Sequence, residues 1–131
     1  MSDRFDDPGD MIDLAGRVML THRLDPELAM RVLRIERGDA ERMIVEGRLS
    51  RPLYPTAGER LRLFVNILTR LEHRLRHDSA AMRRALETPL DALEGRSPAD
   101  MLNGDTATLF AVRKAIDHID TPNEKWWRVG H

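Results

Sequence analysis

The sequence predicts an all-α protein. Apolar residues recur at three- and four-residue spacing through most of the chain, no stretch keeps the strict alternation of a half-buried strand, and capping residues followed by proline mark repeated helix starts. At 131 residues, 41% hydrophobic and 33% charged, the chain has the size of one ordinary domain and is too apolar for full disorder. The absence of cysteine excludes a disulfide framework, thiolate zinc sites and thiol nucleophiles. No apolar run approaches the roughly 18 residues of a bilayer span. The acidic start Met-Ser-Asp-Arg-Phe-Asp-Asp does not read as a signal peptide. The expectation is therefore a soluble, cytoplasmic protein. Aromatics at 5% are few for a β-sandwich or a base-stacking surface.

Residues 1–10, with four Asp plus Pro8 and Gly9, read as a disordered arm. Met11, Leu14, Ala15, Val18 and Met19 then follow the helical period to about His22. Asp25-Pro26-Glu27-Leu28 sets a cap before a proline at the first helical position, opening a second helix through Leu28, Ala29, Val32 and Leu33. A turn near residues 35–38 leads to a third helix with Ala40, Met43 and Ile44, stopped by Gly47. Pro52 and Pro55 forbid continuous helix across residues 48–55. Thr56 and Glu59 have capping-box spacing and open the longest helix, roughly 57–77, with Leu61, Phe64, Leu68, Leu71 and Leu75 spaced 3-4-3-4. Such a stripe is either a dimerisation seam or core packing. The last third breaks into short pieces: residues 79–88 up to Pro89, a turn over 90–94 closed by Gly95, a start at Ser97-Pro98 ending at Gly104, and a final helix over 106–119.

The net charge of −1 conceals a division along the chain. Residues 1–30 carry net −4, residues 31–76 net +5 and residues 77–131 net −2. A basic centre between acidic ends permits an anionic partner there without demanding one. Residues 26–47 have the outline of a helix-turn-helix. In a DNA-reading version Arg37, Asp39, Glu41 and Arg42 face the major groove while Arg31, Arg34, Arg48 and Arg51 hold phosphates. Asp39, Glu41 and Glu46 oppose that version, and an ordinary helical hairpin has the same outline. His73 and His77 stand one turn apart, but no zincin glutamate lies between them and no nearby acid completes a ligand set, so no metal and no cofactor are expected. His22, His118 and His131 form no visible constellation. There is no glycine-rich phosphate loop and no nucleophile elbow, so enzyme activity is not expected. Trp126 and Trp127 either cap the core or, with Lys125 and Arg128, anchor a partner protein.

One segment is more specific. Leu86, Thr88, Pro89, Leu93, Gly95, Ser97, Pro98, Leu102 and Gly104 fill a pattern of helix, Leu-x-Thr-Pro, Leu-x-Gly-x-Ser-Pro, short helix, glycine and final helix. This resembles the C-terminal toxin-binding domain of Xre/MbcA/ParS-type antitoxins. Ala85 stands where that family often has tryptophan. The resemblance implies an Xre-like helix-turn-helix domain over residues 11–55, followed over 56–131 by a long dimerisation helix, a small helical toxin-binding module and a tail. It further implies a type II antitoxin that binds a RES-domain toxin, one that degrades NAD or transfers ADP-ribose from it, and covers the toxin's NAD site. It also implies repression of its own operon. Toxin contacts would fall on Leu93, Gly95, Arg96, Ser97, Pro98, Lys125, Trp126, Trp127 and Arg128. A homodimer would close through Leu61, Phe64, Leu68, Leu71 and Leu75, and operator DNA is a possible partner. The alternative is a stand-alone DNA-binding regulator without a toxin.

Overall fold

The computed structural model describes residues 8–49 and 57–119. These form six α-helices: α1 Pro8–His22, α2 Glu27–Leu33, α3 Arg37–Glu46, α4 Ala57–Arg74, α5 Ser79–Glu87 and α6 Thr106–Ile116. Two single-turn 3-10 helices, Asp91–Leu93 and Ala99–Met101, lie between α5 and α6. Among the described residues there is no strand, only an isolated antiparallel bridge from Leu90 to Arg96. The all-α expectation holds. Among the described residues no helix is long and apolar enough to cross a membrane.

Most helix ends follow local capping chemistry. Asp78 and Asp105 occupy the N-caps of α5 and α6, where their carboxylates accept from the N–H groups of Ala81 and Thr108, 3.0 and 2.8 Å away. The Asp25 carboxylate accepts from the Glu27 N–H at 2.9 Å beside Pro26, as the dipeptide predicts. Gly47 closes α3 at φ +72°, a conformation that favours glycine. Several boundaries differ from expectation: α4 ends at Arg74 rather than near residue 77, and α3 already begins at Arg37, inside the expected turn. Residues 8–10, expected in the arm, are the first turn of α1, because a proline there lacks an N–H that the first turn would leave unbonded. At the other end, α6 stops at Ile116, and residues 117–119 continue only as a turn.

Helix α4 is the axis of the molecule, packing against α1, α2 and α6. Leu61, Phe64, Leu68, Leu71 and Leu75 are all buried within this one chain, in a core that runs from Met11 in α1 to Ile116 in α6. Leu63, Val65 and Ile67 are buried as well, so the apolar face of α4 is far wider than a two-stranded seam. The 3-4-3-4 stripe is core packing here. A second copy of the chain would have no access to it.

Helices α1 and α3 come together at Gly16. A Cβ at this position would collide with the carbonyl of Met43, so the approach exists only because the side chain is missing.

The basic surplus of residues 31–76 is partly structural. Arg60 is buried and donates to three backbone carbonyls: from Nε to Val32 at 2.6 Å, and from its two terminal nitrogens to Gly104 and to Leu102, the latter at 3.1 Å. It ties the end of α2 to the turn before α6. Arg31 donates to the Ala99 carbonyl at 2.7 Å, Arg70 to the Asp117 carboxylate at 2.9 Å and Arg74 to the Ile119 carbonyl at 2.8 Å. Four arginines of the central segment thus hold the C-terminal third in place.

Candidate functional site

The turn over residues 90–96 is built by its own hydrogen bonds. Gly95 N–H donates to Leu90 O at 2.9 Å, Glu94 N–H to Asp91 O at 3.0 Å, and Leu90 N–H to Arg96 O at 3.0 Å. Glu94 and Gly95 both take left-handed backbone, at φ 57° and 84°, and this reverses the chain within a few residues. Leu93 fastens the turn to the core. Ser97 is buried at the foot, its hydroxyl accepting from the Asp100 N–H at 3.2 Å, and Pro98 is buried beside it. Asp91, Ala92, Glu94, Gly95 and Arg96 are exposed. Of the five positions in this segment expected to contact a toxin, Gly95 and Arg96 reach the surface, whereas Leu93, Ser97 and Pro98 shape the turn from inside. Lys125, Trp126, Trp127 and Arg128 lie outside the described residues.

The helix-turn-helix outline corresponds to α2 and α3 joined by residues 34–36, with Arg34 in left-handed backbone at φ 55°. Ala40 and Met43 face the core, while Arg34, Arg37, Arg42 and Arg48 are exposed. Glu46 pairs with Arg42 at 3.7 Å and with Arg48 at 3.0 Å. One carboxylate thus offsets two of the arginines expected on DNA. Arg51 lies outside the described residues.

Two side-chain arrangements arise only from the fold. Phe110 on α6 is an exposed large aromatic, and the Arg113 guanidinium lies 4.4 Å from its ring centre. In the sequence Phe110 is marked only by lying off the apolar face of the last helix.

The second feature overturns an expectation. His22 is buried, and its Nε2 lies 2.7 Å from Glu72 Oε2 while its Nδ1 lies 2.6 Å from Ser79 Oγ. His77 Nδ1 stands 3.4 Å from the same Glu72 oxygen. The expected absence of a nearby acid and the apparent isolation of His22 are both corrected: Glu72 supplies the acid and α1 supplies the second imidazole. His73, exposed on α4, stands outside the group.

Local structure explains the convergence. Helix α1 ends in a Schellman motif, with Leu24 N–H donating to Met19 O at 2.9 Å and Arg23 left-handed at φ 54°. That closure leaves His22 at the last position before the turn. Helix α4 ends the same way, with His77 N–H donating to Glu72 O at 2.8 Å and Arg76 left-handed at φ 53°. His77 is itself left-handed, at φ 62°, so the chain doubles back beside Glu72.

Hydrogen bonds from the Thr108 N–H and hydroxyl pull the Asp105 carboxyl below the usual carboxylate range. Comparison of the chain with protein-family models, with curated proteins and with solved structures found no match.

Proposed function

We propose that the chain is an antitoxin that binds a RES-domain toxin and covers its NAD site. The observation that carries this reading is the closed turn over residues 90–96, which presents Asp91, Glu94, Gly95 and Arg96 from a buried foot. A turn held by five internal backbone bonds loses little conformational entropy on docking, and preorganised contacts convert more of their energy into affinity. Its two exposed acids complement a cleft that binds dinucleotide phosphates through basic groups. Phe110 with Arg113 adds an aromatic–arginine pair of the kind enriched in binding hot spots. Covering a cleft needs fit and affinity, and no chemistry of the chain's own.

The reading predicts that a RES-domain protein is encoded beside this gene, and the test is co-purification with that neighbour's product. A stable complex is expected, and reversing the turn's charge with Asp91→Lys and Glu94→Lys should weaken it at least about tenfold, the scale of one or two charge-assisted contacts. Both side chains are exposed, so the fold should be unaffected. Binding that ignores the reversal would remove the turn from the interface, and no complex at all would end the antitoxin reading.

Autoregulation through DNA is the second reading, favoured by the exposed Arg34, Arg37, Arg42 and Arg48 around the α2–α3 turn. It predicts promoter binding that weakens steeply with salt, and an Arg42→Ala variant that binds more weakly. An unshifted promoter fragment at low salt would exclude it.

A further inference from the structure

We propose that His22 Nε2, Glu72 Oε2 and His77 Nδ1 form a binding site for a divalent transition-metal ion, zinc by its chemistry. The three ligand atoms lie within 4.8 Å of one another. A tetrahedral zinc ion about 2.1 Å from each donor requires donor separations of about 3.4 Å. The separation of His77 Nδ1 from Glu72 Oε2 is already 3.4 Å. That of His22 Nε2 from Glu72 Oε2, 2.7 Å, is a hydrogen-bond length, and it opens by less than an ångström when the ion replaces the shared proton. The donors are graded in exposure, with side chains 2%, 19% and 69% accessible for His22, Glu72 and His77, so ion entry and a fourth, water-filled position lie on the His77 side.

Two further features fit a ligand set better than a lone hydrogen bond. Ser79 Oγ, 2.6 Å from His22 Nδ1, can accept that nitrogen's proton and leave Nε2 with its lone pair toward the ion, which is the outer-shell arrangement of metal-bound imidazoles. The backbone is consistent with this. Arg76 is left-handed as the closing residue of α4, and His77 follows it in a second left-handed conformation, which brings a second imidazole to the oxygen that already bonds His22. Two imidazoles and one carboxylate suit zinc, whereas magnesium and calcium prefer all-oxygen sets. The bound ion would join the end of α1 to the corner between α4 and α5, so its effect is expected on stability.

The experiment uses the full-length chain without a histidine tag, stripped with a chelator and titrated calorimetrically with zinc chloride, with magnesium chloride as the control. Saturable binding of one zinc per chain is expected, with a rise in thermal midpoint of about 5 °C or more once zinc is well above its Kd. His77→Ala, at an exposed position, should keep the helical circular dichroism and lose at least about tenfold in zinc affinity, and Ser79→Ala about tenfold through the outer shell. His73→Ala should leave the affinity unchanged. The proposal is overturned if zinc produces no saturable heat, or if His77→Ala binds as the parent does. Equal losses in His73→Ala and His77→Ala would overturn it too, since that is the signature of loose chelation along α4.

Discussion

Replacing Arg60 with alanine should destabilise the protein by about 3–5 kcal/mol, because three carbonyls lose their donor and each group left unsatisfied in the interior costs about 1–3 kcal/mol. The guanidinium donates to the carbonyls of Val32, Leu102 and Gly104, and its deletion leaves three acceptors facing a cavity in the interior. Domains of this size have total stabilities of only about 5–15 kcal/mol, so a large share is at stake. Lysine at the same position should recover little of the loss. Its ammonium is a point donor on a flexible stem, whereas three diverging carbonyls need the planar fork. Urea denaturation of the parent, Arg60→Ala and Arg60→Lys measures all three. Stability of Arg60→Ala within about 1 kcal/mol of the parent would show that water substitutes for the fork, an exposed-site result inconsistent with this burial.

Gly16 gives the second large effect, and here the sign is the informative part. Helix propensity alone favours Gly16→Ala in α1 by roughly 1 kcal/mol. The contact reverses this. The added methyl would meet the Met43 carbonyl, which belongs to the backbone of α3 and cannot rotate away, so α1 and α3 must separate. The expected net change is a loss of about 1–3 kcal/mol, the usual cost of overpacking, and more for Gly16→Val. Gly58 in α4 is the control, because nothing stands within 4 Å of a Cβ built there. Gly58→Ala should gain a few tenths to about 1 kcal/mol from propensity alone. Thermal melts of the two variants should therefore move in opposite directions. A stabilised Gly16→Ala would mean that the two helices sit farther apart than the structure has them.

Both cases mark the boundary of what could be read in advance. The starts of α2, α5 and α6 and the stop of α3 were legible, since a cap, a proline at the first turn or a terminal glycine acts within four residues of itself. The exposed tip of residues 90–96 was partly legible, because Gly95 and the Ser97-Pro98 pair announce a turn and a restart. That Leu93, Ser97 and Pro98 would face inward was not legible, since the same pattern suits contact residues and scaffolding residues alike. The stripe on α4 was readable as apolar but ambiguous in destination. Its five residues proved to be covered by α1, α2 and α6 of the same chain.

Charge was the least legible property. Arg60 reads like the other arginines of the basic segment, yet it is buried, and Arg31, Arg70 and Arg74 bond to the C-terminal third. What the chain settles by itself is the helical class, most helix boundaries and the position of the tight turn, because periodicity and capping depend on neighbours a few residues away. Only the tertiary structure decided which apolar faces meet, which cations are buried, and that His22 meets Glu72 across a separation of 50 residues. Such contacts depend on how helices pack, and packing is a property of all the faces together.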